Sequence, residues 1–207
     1  MTGRRNLIRE AALLSALVPV AIMATGCSEG GDREYSIPKN LCGIAVQQDL
    51  YAPLFGPGDS LKGSGTIPDS EEQSLVDRCR YFTGGEDIAG DGGITVYGKW
   101  TKGGQSTHDQ LKTLKSNEKN RGEAKRFPGK YVATAAPTSA QSVVVCRNRD
   151  KAVDTEAEQP WANQYVLTIG TYGSWEQGDN EASRKRLGKL VQAAMEAVQG
   201  ELPCKHS

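Results

Sequence analysis

Beyond residue 40 the apolar positions follow two periods. In residues 75–82, 94–100, 130–136, 142–147 and 165–172 they alternate or run together in short blocks, and these five stretches read as strands. Within 94–100, Ile94, Val96 and Trp100 fall on one face and Tyr97 and Lys99 on the other. Near the end the period lengthens. Leu187, Leu190, Val191, Ala194 and Val198 repeat at three and four, predicting a helix over 181–199 capped by Asn180 and ended by Gly200, with Pro203 beyond. Shorter signals give one or two helical turns over 47–55, stopped by Gly56-Pro57-Gly58. Another short helix is predicted from Ser106, with Asp109 as capping-box partner and Leu111 and Leu114 as its stripe. Residues 41–46 read as a short extended piece, and 56–70, 84–93 and 150–159 as loops. The expectation is an α+β domain: a mostly antiparallel sheet of about five strands with two or three helices packed on it.

The start of the chain has a different pattern. Arg4, Arg5 and Arg9 precede an apolar run over 11–23, and Ala24, Thr25 and Gly26 lead into Cys27. Thirteen apolar residues are too few for a membrane-spanning helix, which needs about 20. The layout is that of a signal peptide over 1–26, and Ala24-Thr25-Gly26-Cys27 reads as a lipobox. Cleavage between Gly26 and Cys27 would leave Cys27 as the lipidated first residue, followed by a tether over 27–40 and one extracytoplasmic domain over 41–207. Ala24 departs from the large aliphatic residue usual at that place. Arg4-Arg5-Asn6-Leu7-Ile8-Arg9 also resembles a twin-arginine export motif, so both export routes stay open. A diacylglyceryl anchor holds a protein stably where one acyl chain does not. The expected location is therefore the outer face of the bacterial cytoplasmic membrane, with the membrane as partner through the lipid.

Charge narrows the partners. The signal region takes three Arg and one Glu from totals of 25 and 25, leaving 22 basic against 24 acidic side chains. That balance gives no general drive toward nucleic acid. Cys42, Cys79, Cys146 and Cys204 follow Cys27, and an even number in an exported chain reads as two disulfides. Of three pairings, Cys42–Cys79 with Cys146–Cys204 is favoured, the second pinning the end of the last helix to a strand.

Tyr97-Gly98-Lys99-Trp100 is echoed by Tyr172-Gly173-Ser174-Trp175, and a Cys-Arg pair precedes each, at Cys79-Arg80 and Cys146-Arg147. The echo suggests a pseudo-repeat in which Tyr97, Trp100, Tyr172 and Trp175 either cap the core or line an aromatic groove. Catalytic signals are thin. There are two histidines, His108 and His206, and no nucleophile or phosphate-loop motif, so no catalytic residue, metal ligand or cofactor is assigned. Glu86, Asp87 and Asp91 match no calcium-loop spacing and read as a solvated loop. Residues 112–130 carry seven Lys and Arg against Glu118 and Glu123. That local +5 reads as a solvated helix face, or as a surface for anionic headgroups or phosphate-rich wall polymers.

Taken together, the lipobox, Leu41-Cys42-Gly43, strand-borne Cys79 and Cys146, and a long last helix followed by Cys204 resemble the uncharacterised four-cysteine lipoproteins of actinobacteria. Some families of that kind have a sheet with helices packed on it, similar to the photosystem accessory protein fold. The resemblance implies no catalytic residue. The expected function is a surface-tethered binding or interaction module for a small ligand, wall polymer or partner protein. The alternatives are a cell-envelope hydrolase using carboxylates and an accessory subunit of a membrane complex.

Overall fold

The computed structural model describes residues 33–68, 76–84, 92–102, 124–146, 162–173, 180–202 and 204. Seven strands form one sheet: β1 Leu61–Ser64, β2 Val76–Thr83, β3 Gly92–Lys102, β4 Lys125–Phe127, β5 Val132–Ala135, β6 Ser139–Val145 and β7 Ala162–Gly173. Their order is β1-β2-β3-β7-β6-β5-β4, every pair antiparallel. Helix α1, Gln48–Tyr51, runs into a 3-10 turn at Ala52–Leu54, and the long helix α2 is Asn180–Gln199. The sheet has more than the expected five strands, and the described fold is mainly β. The helix expected from Ser106 lies outside the described residues.

The two additional strands are the sheet margins. In β1, Leu61 is half-buried and the next three residues are exposed. Its Gly63 leaves room for the Tyr81 ring, which a Cβ there would overlap. β4 is three residues, two of them exposed. Neither has an apolar alternation of its own; the ladder of the neighbouring strand makes it a strand. Residues 41–46, expected to be extended, instead contain a tight turn. Leu41 and Ile44 exchange backbone hydrogen bonds at 3.1 and 2.9 Å across Cys42 and Gly43. Both central residues have positive φ, 58° and 82°. Gly43 takes that conformation readily, and Cys42 is held in it by its tertiary bonds.

One face of the sheet carries the core. Ile94, Val96 and Trp100 of β3, Tyr165, Leu167 and Ile169 of β7, and Ala140 and Val144 of β6 are all at most 7% exposed. Register places them side by side. Side chains from two segments complete the core. Leu187, Leu190, Val191, Ala194, Met195 and Val198 of α2 lie over β5, β6 and β7. Leu41, Ile44, Tyr51, Leu54 and Phe55 belong to the same cluster, with the Phe55 ring 5.6 Å from that of Tyr81 in β2. Each fully buried aliphatic side chain contributes about 1.5–3 kcal/mol relative to exposure. The α2 stripe read from sequence is thus the one that buries.

The cysteines pair as Cys42–Cys79 and Cys146–Cys204, closing separations of 37 and 58 residues. In the chain-entropy treatment each closure contributes about 4 kcal/mol. The first ties the turn at Cys42 to β2, and the second ties the chain beyond α2 to the end of β6.

β3 and β7 pair at the centre, with Thr95 opposite Gly170 and Tyr97 opposite Thr168. Thr95 and Gly170 are themselves related by the offset that relates Tyr97 to Tyr172, so a local dyad passes between them. The cysteines do not obey it. Cys79 stands opposite Val96. The dyad equivalent of Val96 is Thr171, whose N–H bonds to the carbonyl of Thr138, not to anything near Cys146. The echo is a property of the two central strands and does not extend to the Cys-Arg pairs.

Candidate functional site

Along α2 a second stripe, beside the core stripe, faces the β4–β5 margin. It runs Glu181, Arg184 with Lys185 beside it, Gly188, Gln192, Glu196 and Gln199, each turn three or four residues on from the last. Gly188 is the close approach, since a Cβ there would overlap the Phe127 ring of β4. Gln192 clasps the next turn of chain. Its Oε1 accepts from the Tyr131 N–H at 3.1 Å, and its Nε2 donates to the Tyr131 carbonyl at 2.9 Å. The side chain thus imitates a neighbouring strand. Beyond it, Lys130 Nζ donates to Glu196 Oε1 at 3.1 Å, and the Tyr131 hydroxyl donates to Gln199 Oε1 at 2.5 Å. Hydrogen bonding to Glu196 first, and then to the Tyr131 phenol, raises the Lys130 pKa above its ordinary value.

Where the stripe begins, β4 and α2 diverge around a cleft of about 200 Å³ lined by Lys125, Arg126, Phe127, Pro128, Glu181, Arg184 and Lys185. Lys125, Arg184 and Lys185 face one carboxylate, a local +2, while Arg126 alternates onto the other face of β4. Arg184 is buried, 5% exposed, and ion-paired with Glu181 of the preceding turn. Lys125 and Lys185 are exposed at the rim. The positive end of the 20-residue helix adds to the potential. Phe127 and Pro128 give the cleft one apolar wall. Chemically it can retain an anion of modest size whose uncharged part is partly apolar.

Sequence reasoning had half of this site. Lys125, Arg126 and Lys130 belong to the basic run, and the rest of that run lies outside the described residues. The other half, Arg184-Lys185, was read only as part of a helix; the run Arg184-Lys185-Arg186 on an otherwise amphipathic helix was the available signal.

The three described members of the expected aromatic set divide between the two faces of the sheet. Trp100 is on the core face, its ring edge-on to that of Tyr165 at 5.2 Å. Tyr97 is on the opposite face, with the Arg78 guanidinium 5.5 Å from its ring centroid. Tyr172 shares that face over Gly93, donating to the Tyr81 carbonyl at 3.2 Å. Trp175, Cys27, His108, Glu86, Asp87 and Asp91 lie outside the described residues. The second face also carries a polar row across the sheet, in register from Tyr97 through Thr168, Gln141 and Thr134 to Arg126. Gln141 Nε2 donates to Thr168 Oγ1 at 3.1 Å. Gln141 Oε1 and Thr134 Oγ1 are buried without a hydrogen-bond partner among the described residues.

One polar pair sits inside the core and was missed from sequence. Asp77, 5% exposed, accepts from the Tyr165 hydroxyl at 2.8 Å. Gly98 makes the space, since a Cβ there would overlap that hydroxyl. Burial and the neighbouring Asp77 charge push the Tyr165 pKa far above its ordinary value. Among the described residues no group of three or more His, Cys, Asp or Glu is placed to hold a metal ion.

Fold and cleft together define a disulfide-stapled antiparallel sheet backed by one long helix, with a cationic cleft at its margin. Comparison with protein-family models, curated proteins and solved structures found no match to this chain.

Proposed function

We propose that this chain is a lipoprotein of the four-cysteine actinobacterial kind, anchored through Cys27 to the outer face of the cytoplasmic membrane, where it acts as a binding module. The observation that carries this reading is the oxidation of all four cysteines after Cys27 into two disulfides that staple the sheet. Such bonds persist in oxidising compartments outside the cytoplasm. The lipobox supports the anchor, and no described helix is long and apolar enough to cross a membrane. The cleft gathers Lys125, Arg184 and Lys185 around a single carboxylate, which suits retention of an anion better than hydrolysis by paired carboxylates. Fractionation of the host tests the anchor: the protein should sit in the membrane fraction and Cys27→Ser should release it. A Cys27→Ser variant that stays bound unchanged sinks the lipoprotein reading. Native mass spectrometry of the gently purified protein tests the module; added mass lost on denaturation is the expected result.

A further inference from the structure

We propose that the cleft between β4 and α2 binds the phosphate group of a phosphate ester. The inference rests on the binding-module reading and adds the ligand class. Three cations from two elements distant in sequence converge there: Lys125 from the sheet margin, Arg184 and Lys185 from the helix. Arg184 is the buried member, with its guanidinium fixed against Glu181. A fixed guanidinium presents a planar fork that matches two phosphate oxygens, and the rim lysines supply mobile charge around it. Phe127 and Pro128 suit the carbon skeleton of an ester rather than a bare ion. A volume of about 200 Å³ accommodates a phosphate with a short carbon substituent such as glycerol. Glu181 is the built-in competitor. It neutralises Arg184 in the empty cleft and must share that guanidinium when an anion enters. Glycerophosphate chemistry is shared by lipid headgroups and by wall polymers, and the structure selects the chemistry rather than its carrier.

The test uses the full exported chain carrying Cys27→Ser, so that no acyl chain contributes, with both disulfides formed. Glycerol 3-phosphate is titrated while amide resonances of 125–127 and 181–188 are followed, against sodium chloride at matched ionic strength. Saturable shifts that chloride does not reproduce are expected. Lys125→Gln with Lys185→Gln, both at exposed positions, should weaken binding about ten-fold, from the loss of two rim charges. Glu181→Gln should tighten it. Identical shifts with chloride, or an affinity unchanged in the double lysine variant, would overturn the proposal. Phosphatidylglycerol vesicles in a phosphatidylcholine background separate the sources. Vesicle binding abolished by the double variant assigns a lipid headgroup. Saturation by glycerol 3-phosphate without vesicle binding assigns a soluble or wall-borne ester. Vesicle binding that ignores the double variant, with no response to glycerol 3-phosphate, refutes the site. Membrane release of Cys27→Ser is scored separately, so failure of the anchor and failure of the cleft are distinguishable.

Discussion

Tyr165→Phe isolates one interaction at the centre of the sheet. The substitution keeps a ring that is fully buried and edge-on to Trp100, so packing is preserved. It removes only the hydroxyl that donates to Asp77 Oδ2 at 2.8 Å. A hydrogen bond to a charged partner contributes about 1.5–3 kcal/mol, and loss of a donor leaves a 5%-exposed carboxylate less well satisfied. A loss of about 2 kcal/mol is expected, and for a chain of this length it lowers Tm by about 4–8 °C. Urea melts should show a lower midpoint with an unchanged slope. Gly98→Ala, which would overlap the same hydroxyl, should also destabilise, and the two changes together should cost less than their sum.

The pH dependence gives a second, independent check. The folded-state pKa of Tyr165 is raised above the ordinary value of 10.0, first by burial and then by Asp77. The folded state therefore holds this proton more tightly than the unfolded chain. Its contribution is complete below pH 10 and declines as pH rises beyond that value. Wild type loses it under alkali; Tyr165→Phe has nothing there to lose. The stability gap between them should be constant from pH 7 to 9 and narrow above pH 10. A variant within about 0.5 kcal/mol of wild type at pH 7, or a gap that widens in alkali, refutes the reasoning.

The margin that carries the cleft makes its own predictions. Helix propensity alone would favour Gly188→Ala by about 1 kcal/mol, but Gly188 is buried and the Phe127 ring occupies that space, so a net loss of about 1–3 kcal/mol is expected in thermal melts. A stabilised variant would show that β4 does not pack there. Gln192→Ala removes both bonds to the Tyr131 backbone and should cost about 2 kcal/mol, with faster exchange of the Tyr131 amide. Peptide mapping without reduction should recover Cys42–Cys79 and Cys146–Cys204 only, and a Cys79–Cys146 peptide would contradict the fold. Replacing Cys146 and Cys204 together by Ser should cost about 4 kcal/mol in urea melts.

What could be read from the sequence follows from where each signal is stored. The central strands and α2 announce themselves because burial on one side forces a period, and Leu187, Leu190 and Val191 must face inward whatever the rest does. β1 and β4 carry no such signal: Lys62, Gly63, Lys125 and Arg126 are marginal residues made into strands by their neighbours. The turn at Cys42-Gly43 was hidden because half of it rests on a cysteine at positive φ. Asp77 could not be paired before β2 was known to lie one strand from β7, which is what lets Tyr165 reach it past Gly98. The cleft is the sharpest case. Lys125 is separated from Arg184-Lys185 by the whole of β5, β6 and β7, and only the order of the sheet brings them together.

That same order bears on which carrier the cleft meets. Arg33, where the described chain begins, bridges to Gly58, and Gly58 lies against Thr83 and Gly84 at the end of β2. The chain therefore enters the domain at the β1–β2 margin, and the cleft is at the β4 margin. Six strand spacings separate the two margins, about 29 Å. If Cys27 carries the lipid, the six residues from Cys27 to Arg33 reach at most about 20 Å when extended. A domain standing on its entry margin then holds the cleft about 30 Å or more beyond the tether's foot, facing wall polymer. Only a domain lying along the bilayer brings Lys125 and Lys185 to the headgroups. Energy transfer from a label at the exposed position 182, beside the cleft but not lining it, to a membrane-borne acceptor distinguishes the two postures. Contact within about one Debye length, ~8–10 Å, that disappears in the Lys125→Gln background would assign the phosphate to lipid. A label that stays far from the bilayer whether or not Lys125 is present leaves the wall as the source of the ester.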